Sequence, residues 1–336
     1  MSEAPIGLNS TVSASHRDAA PPRPLWQLIF VRPETLTFVL LVLAIFAGGQ
    51  LSPYFLDIRY ILDSFTLTAE LSLLALILTL VIIAGEIDLS PASAMALSAC
   101  LFAYAMSFDW PMWICVFIGI GSGLIMGAIN AALIIGLQLP SIIVTIGTLT
   151  LYRGLAQVIA GDKSIRVPEW YIGIDKVQIL GLPAPDLIFI IAAIALAFVL
   201  GMTVWGRQIY QTGTNETAAI YAGIRTRRIK TVLFLATGVT ASIAGMIFIS
   251  RLGSVRYDLG LGGELQMVLM AMLGGTYIFG GRGTILGTFL AALLLSVIST
   301  GMTTANLLPA TQLCVLGVLL VLSIIATNFI YSRTQR

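Results

Sequence analysis

The sequence predicts an all-α, polytopic transmembrane bundle of about ten spans with broken helices. Three observations carry this. Of 336 residues, 58% are hydrophobic and 10% are charged, against roughly a quarter charged in soluble domains. Mean hydropathy is +0.97, more apolar surface than a soluble core can absorb. The apolar residues form runs of spanning length rather than an apolar–polar alternation, which excludes a membrane β-barrel.

Residues 1–33 are rich in Ser, Ala, Pro and charge and read as a disordered cytoplasmic tail. They lack the apolar core and cleavage site of a signal peptide. The membrane domain covers 34–331, with candidate spans at about 35–51, 64–84, 92–107, 111–135, 141–160, 185–204, 230–250, 264–279, 284–302 and 309–330. The runs at 92–107 and 264–279 are short and flanked by Gly, and such spans in both halves of a transporter point to broken helices around a central pathway. The halves share a weak similarity: a Gly-punctuated segment leads into a small-residue helix at Gly85–Ala99 and again at Gly274–Ala292.

Net charge is +2, too small to imply nucleic acid. Cys100, Cys115 and Cys314 lie in apolar runs without ligand spacing and read as small core residues. The single His16 lies in the polar tail. No metal site and no catalytic constellation is expected. Ten spans put both termini on one side, together with Arg207, Arg225, Arg227, Arg228, Lys230 and Arg282. The opposite side takes seven bases: Arg59, Arg153, Lys163, Arg166, Lys176, Arg251 and Arg256. The basic cluster at 205–230 places both termini and that loop in the cytoplasm. The longest loop on the other face, 161–184, mixes charge with Trp170 and Tyr171, and suits an interfacial segment or an external partner.

Four polar stretches interrupt the apolar runs. In A-G-E-I-D-L-S-P-A-S, Ala84–Ser93, Ser90 reads as an N-cap and Pro91 as the first helical residue. Asp88 then lies near the positive end of that helix, and either holds a helix break or contacts solute. Glu86 has no capping role, so it lines the pathway or pairs with an Arg. In Leu139–Gly154, Thr145, Thr148 and Thr150 with Gly147 form a small polar stripe; Thr145 and Thr148 share a helix face. These hydroxyls, like Asn130 in the preceding span, either bond locally and pack or line a pathway. Leu273–Phe289 holds six glycines, which allow close backbone approach and a sharp turn; no phosphate-loop pattern is present. In Trp205–Lys230, Thr214 or Asn215 caps a short helix, Glu216 occupies its first turn, and Gly223 ends it. Ala218 and Ala219 give it a low face suited to a partner's groove, or else the helix lies in the interface with snorkelling bases.

The segments G-E-I-D-L-S-P-A-S, P-S-I-I-V-T-I-G-T-L-T-L-Y-R-G-L-A, G-R-Q-I-Y-Q-T-G-T-N-E-T-A-A-I-Y-A-G-I and L-G-G-T-Y-I-F-G-G-R-G-T-I-L-G-T resemble, in order, four signatures of the ribose-type sugar permeases of bacterial ABC importers, over about 84–289. The sequence departs from that pattern where Glu86 replaces a glycine and Pro91-Ala92 replaces Val-Gly. The resemblance implies a type II ABC importer-like fold and a permease subunit of the inner membrane that pairs with a second copy or a paralogue. A cytoplasmic ATP-binding subunit, which carries the ATP and Mg, would dock on a coupling helix comprising Asn215, Glu216, Ala218, Ala219 and Gly223. An extracytoplasmic binding protein would deliver a sugar or sugar-like solute. The pathway candidates are Glu86, Asp88, Ser90, Asn130, Thr145 and Thr148.

The chain has no Walker motif, so the energy source is a partner ATPase or an ion gradient. In the second case the protein is an ion-coupled secondary transporter with Glu70, Glu86 or Asp88 as the ion site. An intramembrane enzyme lacks plausible residues.

Overall fold

The computed structural model describes residues 33–334, apart from 53, 54, 56, 162, 174 and 175. The tail expected to be disordered lies outside the described residues, Pro33 excepted. Thirteen α-helices run in chain order among the described residues: α1 Pro33–Leu51, α2 Ile58–Thr66, α3 Ala69–Ile83, α4 Pro91–Met106, α5 Met112–Ala131, α6 Ser141–Ala160, α7 Ala184–Met202, α8 Val204–Thr214, α9 Glu216–Tyr221, α10 Thr226–Leu252, α11 Gly263–Leu273, α12 Ile285–Thr304 and α13 Pro309–Thr334. Among the described residues, seven helices are long and apolar enough to cross a membrane. The bent pair α2–α3 makes an eighth candidate, and α4 and α11 are shorter apolar helices at the two weak runs.

The bundle is built around α3 and α4. In α3 every side chain except Leu71 is buried, and α4 is buried apart from Leu101 and Tyr104. A helix apolar on all sides belongs inside such an assembly. In lipid, burying apolar surface does little to bring helices together, so small residues and close packing do it. Helix α5 meets α10 through glycine: a Cβ on Gly123 or Gly127 would collide with the α10 backbone at Gly238 or Phe234. The Ser242 hydroxyl on α10 lies 2.9 Å from that of Ser98 on α4.

The break between α2 and α3, a bend of 71°, falls inside the run read as one span at 64–84. Arg251 at the end of α10 explains it. Its guanidinium donates to the carbonyls of Thr66 at 2.6 Å and Leu67 at 3.3 Å and pairs with Glu70 at 3.3 Å. Carbonyls freed by the bend are thus satisfied by a side chain from another helix.

The helix ends sort onto two faces. One holds the break after α3, helices α8 and α9, the Gly-rich turn after α11 and the start of α1, where Glu34 accepts from Thr284 at 2.9 Å. The end of α13 returns there, since Thr327 donates to Met272 at 3.2 Å. The other face holds the 161–183 segment. Its strand β1 (Ile165–Arg166) pairs antiparallel with β4 (Ser254–Val255), and β2 (Gln178–Ile179) with β3 (Leu182–Pro183). Tyr171 ties the segment down by donating to Met246 at 2.7 Å.

Candidate coupling and translocation site

The break after α3 is closed by backbone. Gly85 adopts φ +87°, a conformation that favours glycine. Its N–H reaches Ile82 at 2.9 Å, and the Glu86 N–H reaches Val81 at 3.1 Å, satisfying carbonyls at the helix end. The end of α11 repeats this arrangement: Gly275 has φ +85°, and the N–H groups of Gly275 and Thr276 bond Met272 and Ala271. The two Gly-punctuated segments therefore share a local capping geometry.

Past Glu86 the chain is held by side chains. Ser141 Oγ accepts from the Ile87 N–H at 3.2 Å, and Thr145 donates to the Ile87 carbonyl at 3.2 Å. The cap on α4 differs from the sequence expectation. Pro91 begins the helix, but Ser90 has a helical backbone and its side chain makes no cap bond. Instead Asp88 Oδ1 accepts from the Ser90 N–H at 2.9 Å and the Ser90 hydroxyl at 2.7 Å. The acid turns the chain, and the hydroxyl links it onward. Asn130 Nδ2 donates to Ser90 Oγ at 2.8 Å, and the Tyr152 hydroxyl lies 3.3 Å from Asn130 Oδ1 and 2.9 Å from the Met126 carbonyl.

Five of the six pathway candidates thus gather around one turn. Asp88, Ser90, Asn130, Thr145 and Thr148 are each 4% exposed or less. The expected Thr stripe is narrower than predicted. Thr145 and Thr148 face inward, whereas Gly147 and Thr150 are exposed, because 147 and 150 fall on the helix's other side.

Glu86 takes a different direction. Its carboxylate lies 2.7 Å from Lys230 Nζ, which also lies 2.6 Å from Glu216 Oε2. Of the two roles left open for Glu86, it takes on pairing, with a lysine rather than an arginine, and it also lines a cavity of about 480 Å³ with Ser141, Glu216, Thr217, Arg227 and Lys230. Lys230 joins the N-terminal end of α10 to the break and to α9.

Helix α9 follows the predicted grammar. Asn215 caps it by accepting from the Ala218 N–H at 3.0 Å. Gly223 follows its end at φ +81°, and the Ile224 N–H reaches back to Ala219 at 3.0 Å. Ala219 is buried while Ala218 is exposed. Ile220 and Tyr221 are 55% and 88% exposed. Below it, α8 is anchored by the Tyr210 hydroxyl on Gly283 at 2.7 Å and by a glycine junction. A Cβ at Gly213 would strike the Ile83 carbonyl and come within 2.7 Å of Gly281 N, and one at Gly280 would lie 2.8 Å from the Gly85 Cα. The Gly281 N–H bonds Ile83 at 2.8 Å. Three of the four sequence signatures therefore meet backbone to backbone beside α9.

Three bases had no assigned role at the sequence level. Arg153 on α6 pairs with Glu264 at 3.0 Å and donates to the carbonyls of Tyr257 and Leu259, fixing the approach to α11. Arg251 and Lys230 do the work described above. Lys230 carried one signal: a base stood at the first position of a spanning run, and an acid without a capping role needed a partner.

A helical bundle with seven or eight apolar spans, broken helices, a cavity at one face and a capped helix standing out from that face is the architecture of a multi-pass membrane protein. The chain belongs to the family described as the permease component of the branched-chain amino acid transport system, whose model matches residues 60–324. It is a permease of an ABC importer in the inner membrane, and its relatives place it with the ribose-type permeases. It is similar to the autoinducer 2 import system permease protein LsrD of Enterobacter sp. strain 638, at 32% identity over 89% of this chain and 94% of that one. The LsrD protein of Klebsiella pneumoniae is 32% identical over 89% of this chain and 92% of its own. That of Escherichia coli SMS-3-5 is 30% identical over 90% and 94%. No solved structure matches.

Proposed function

We propose that this chain forms the translocation pathway for a small, polar, sugar-like solute, working with a second copy or a paralogue and driven by a separate ATPase that binds ATP and Mg. The face with α9 is cytoplasmic, as are both termini. An extracytoplasmic binding protein presents solute to the opposite face, around the 161–183 segment. The observation that carries the reading is α9: a short helix, capped at both ends, exposing Ile220 and Tyr221 and seated through Gly213 on the break after α3. That is the form of an element that receives a push and passes it inward. The names of the similar proteins support the solute class. In this reading Asp88, Ser90, Asn130, Thr145 and Thr148 hold the break, and the cavity beside Glu86 is the solute's way out.

Gly223→Val tests the docking role. A β-branched residue resists positive φ, while a Cβ at Gly223 meets nothing within 4 Å, so the effect stays local. The variant is expected to insert normally and to lose most solute-stimulated ATPase activity in the assembled transporter. Unchanged stimulation would remove α9 as the docking element.

A further inference from the structure

We infer that Lys230 is the strut that carries movement of α9 to the helix break, through Glu216 on one side and Glu86 on the other. The inference rests on the reading of α9 as the docking helix. The three charges come from three separate elements. Glu86 is fixed to the end of α3 by its own N–H on Val81. Glu216 is the first residue of α9, next to the cap Asn215. Lys230 stands between them at 2.7 and 2.6 Å, rooted near the N-terminal end of the 27-residue helix α10.

The two contacts differ in surroundings. The side chains of Lys230 and Glu86 are 11% and 14% exposed, whereas that of Glu216 is 43% exposed. Salt and water screen the outer pair more than the inner one. The outer pair is therefore the first to yield when α9 shifts, and Glu86 keeps the ammonium paired while it does. Opening or closing the outer contact also reshapes the cavity mouth, because Glu86, Glu216, Arg227 and Lys230 all line it. One base serving two acids thus links the docking helix, the break and the exit in a single contact set. Charge, rather than shape, distinguishes this link from the glycine junction beside it.

The test uses the complete transporter in proteoliposomes, reading solute imported per ATP hydrolysed. Lys230→Met and Glu86→Gln are each expected to lower that ratio by about fivefold, within the range of measured coupling perturbations. Lys230→Arg is expected to restore most of it. The double variant is expected to fall no further than Lys230→Met alone, since Lys230→Met already removes the contact that Glu86→Gln removes. If Lys230→Met fails to assemble, Glu86→Gln, which keeps the side-chain shape, decides alone. Gly223→Val separates the two readings. If it leaves stimulated hydrolysis intact, the docking role of α9 falls. If it abolishes stimulation while Lys230→Met and Glu86→Gln leave the ratio unchanged, the strut falls and the docking role stands. Losses that multiply in the double variant also overturn the strut.

Discussion

Glu86 and Asp88 stand two residues apart on one loop and do opposite things. Asp88 is 1% exposed and spends its acceptors on the next residue but one, the Ser90 N–H and hydroxyl. Its cluster grows inward to Asn130 and Tyr152, on α5 and α6. Glu86 faces the cavity and pairs with Lys230, 144 positions along the chain, which in turn reaches Glu216 on an exposed helix. The inner cluster is local and closed, so it defines where the span breaks. The outer cluster reaches from the break through α10 to an exposed helix, with its outer acid half-exposed. Two carboxylates on one loop are therefore not one kind of feature: one is spent on a turn within the loop, the other on an ion pair with a second helix.

Substitutions that attack the inner cluster should cost stability first. Asp88→Ala is expected to be the most damaging, because it leaves two buried donors on Ser90 without their acceptor, at about 1–3 kcal/mol each. The fall should appear as a lower melting temperature in detergent, and Asp88→Asn, which keeps an acceptor, should recover most of it. Asn130→Ala comes next. It cuts the link between Ser90 and Tyr152 and is expected to cost about 1–3 kcal/mol, read by the same melt. Tyr152→Phe should be the mildest, about 1 kcal/mol, since the ring stays packed and only the hydroxyl contacts are lost. The outer cluster should invert the order. Lys230→Met should lower solute moved per ATP by more than Asp88→Asn does, although its melting temperature falls less than that of Asp88→Ala. If both clusters lose stability and transport in the same proportion, the distinction between them fails.

The seven long apolar helices were legible because a spanning helix needs a long apolar stretch and little else. Helix α9 was legible because its cap Asn215 and its terminating Gly223 lie within the helix's own reach. Helix α8 was not, because Val204–Thr214 mixes Trp, Arg, Gln and Thr and reads as a polar loop. The bend between α2 and α3 carries no Gly or Pro. Its cause is Arg251, whose bond to Thr66 spans 185 positions, and local pattern cannot report so distant a partner. The Ser90 cap was misread for a subtler reason. Asp88 accepts from the Ser90 N–H and hydroxyl, so the Ser90 side chain is turned toward the acid and makes no bond to the first turn of α4. Asp88, Ser90, Asn130, Thr145 and Thr148 were visible as five polar residues in or between apolar runs, but not as one cluster.

The glycine junction of Gly85, Gly213 and Gly280 has a mechanical consequence. Where side chains meet, a displacement is partly absorbed by rotamer changes and soft packing. At this junction there are no side chains to yield, only peptide backbone against peptide backbone. The linkage between α8 and the break therefore runs without backlash. A Cβ at Gly213 would strike the Ile83 carbonyl, so not even a methyl group fits between α8 and the end of α3. In the strut reading, the compliant connection in this region is the charged contact at Lys230, whose outer pair is the more exposed.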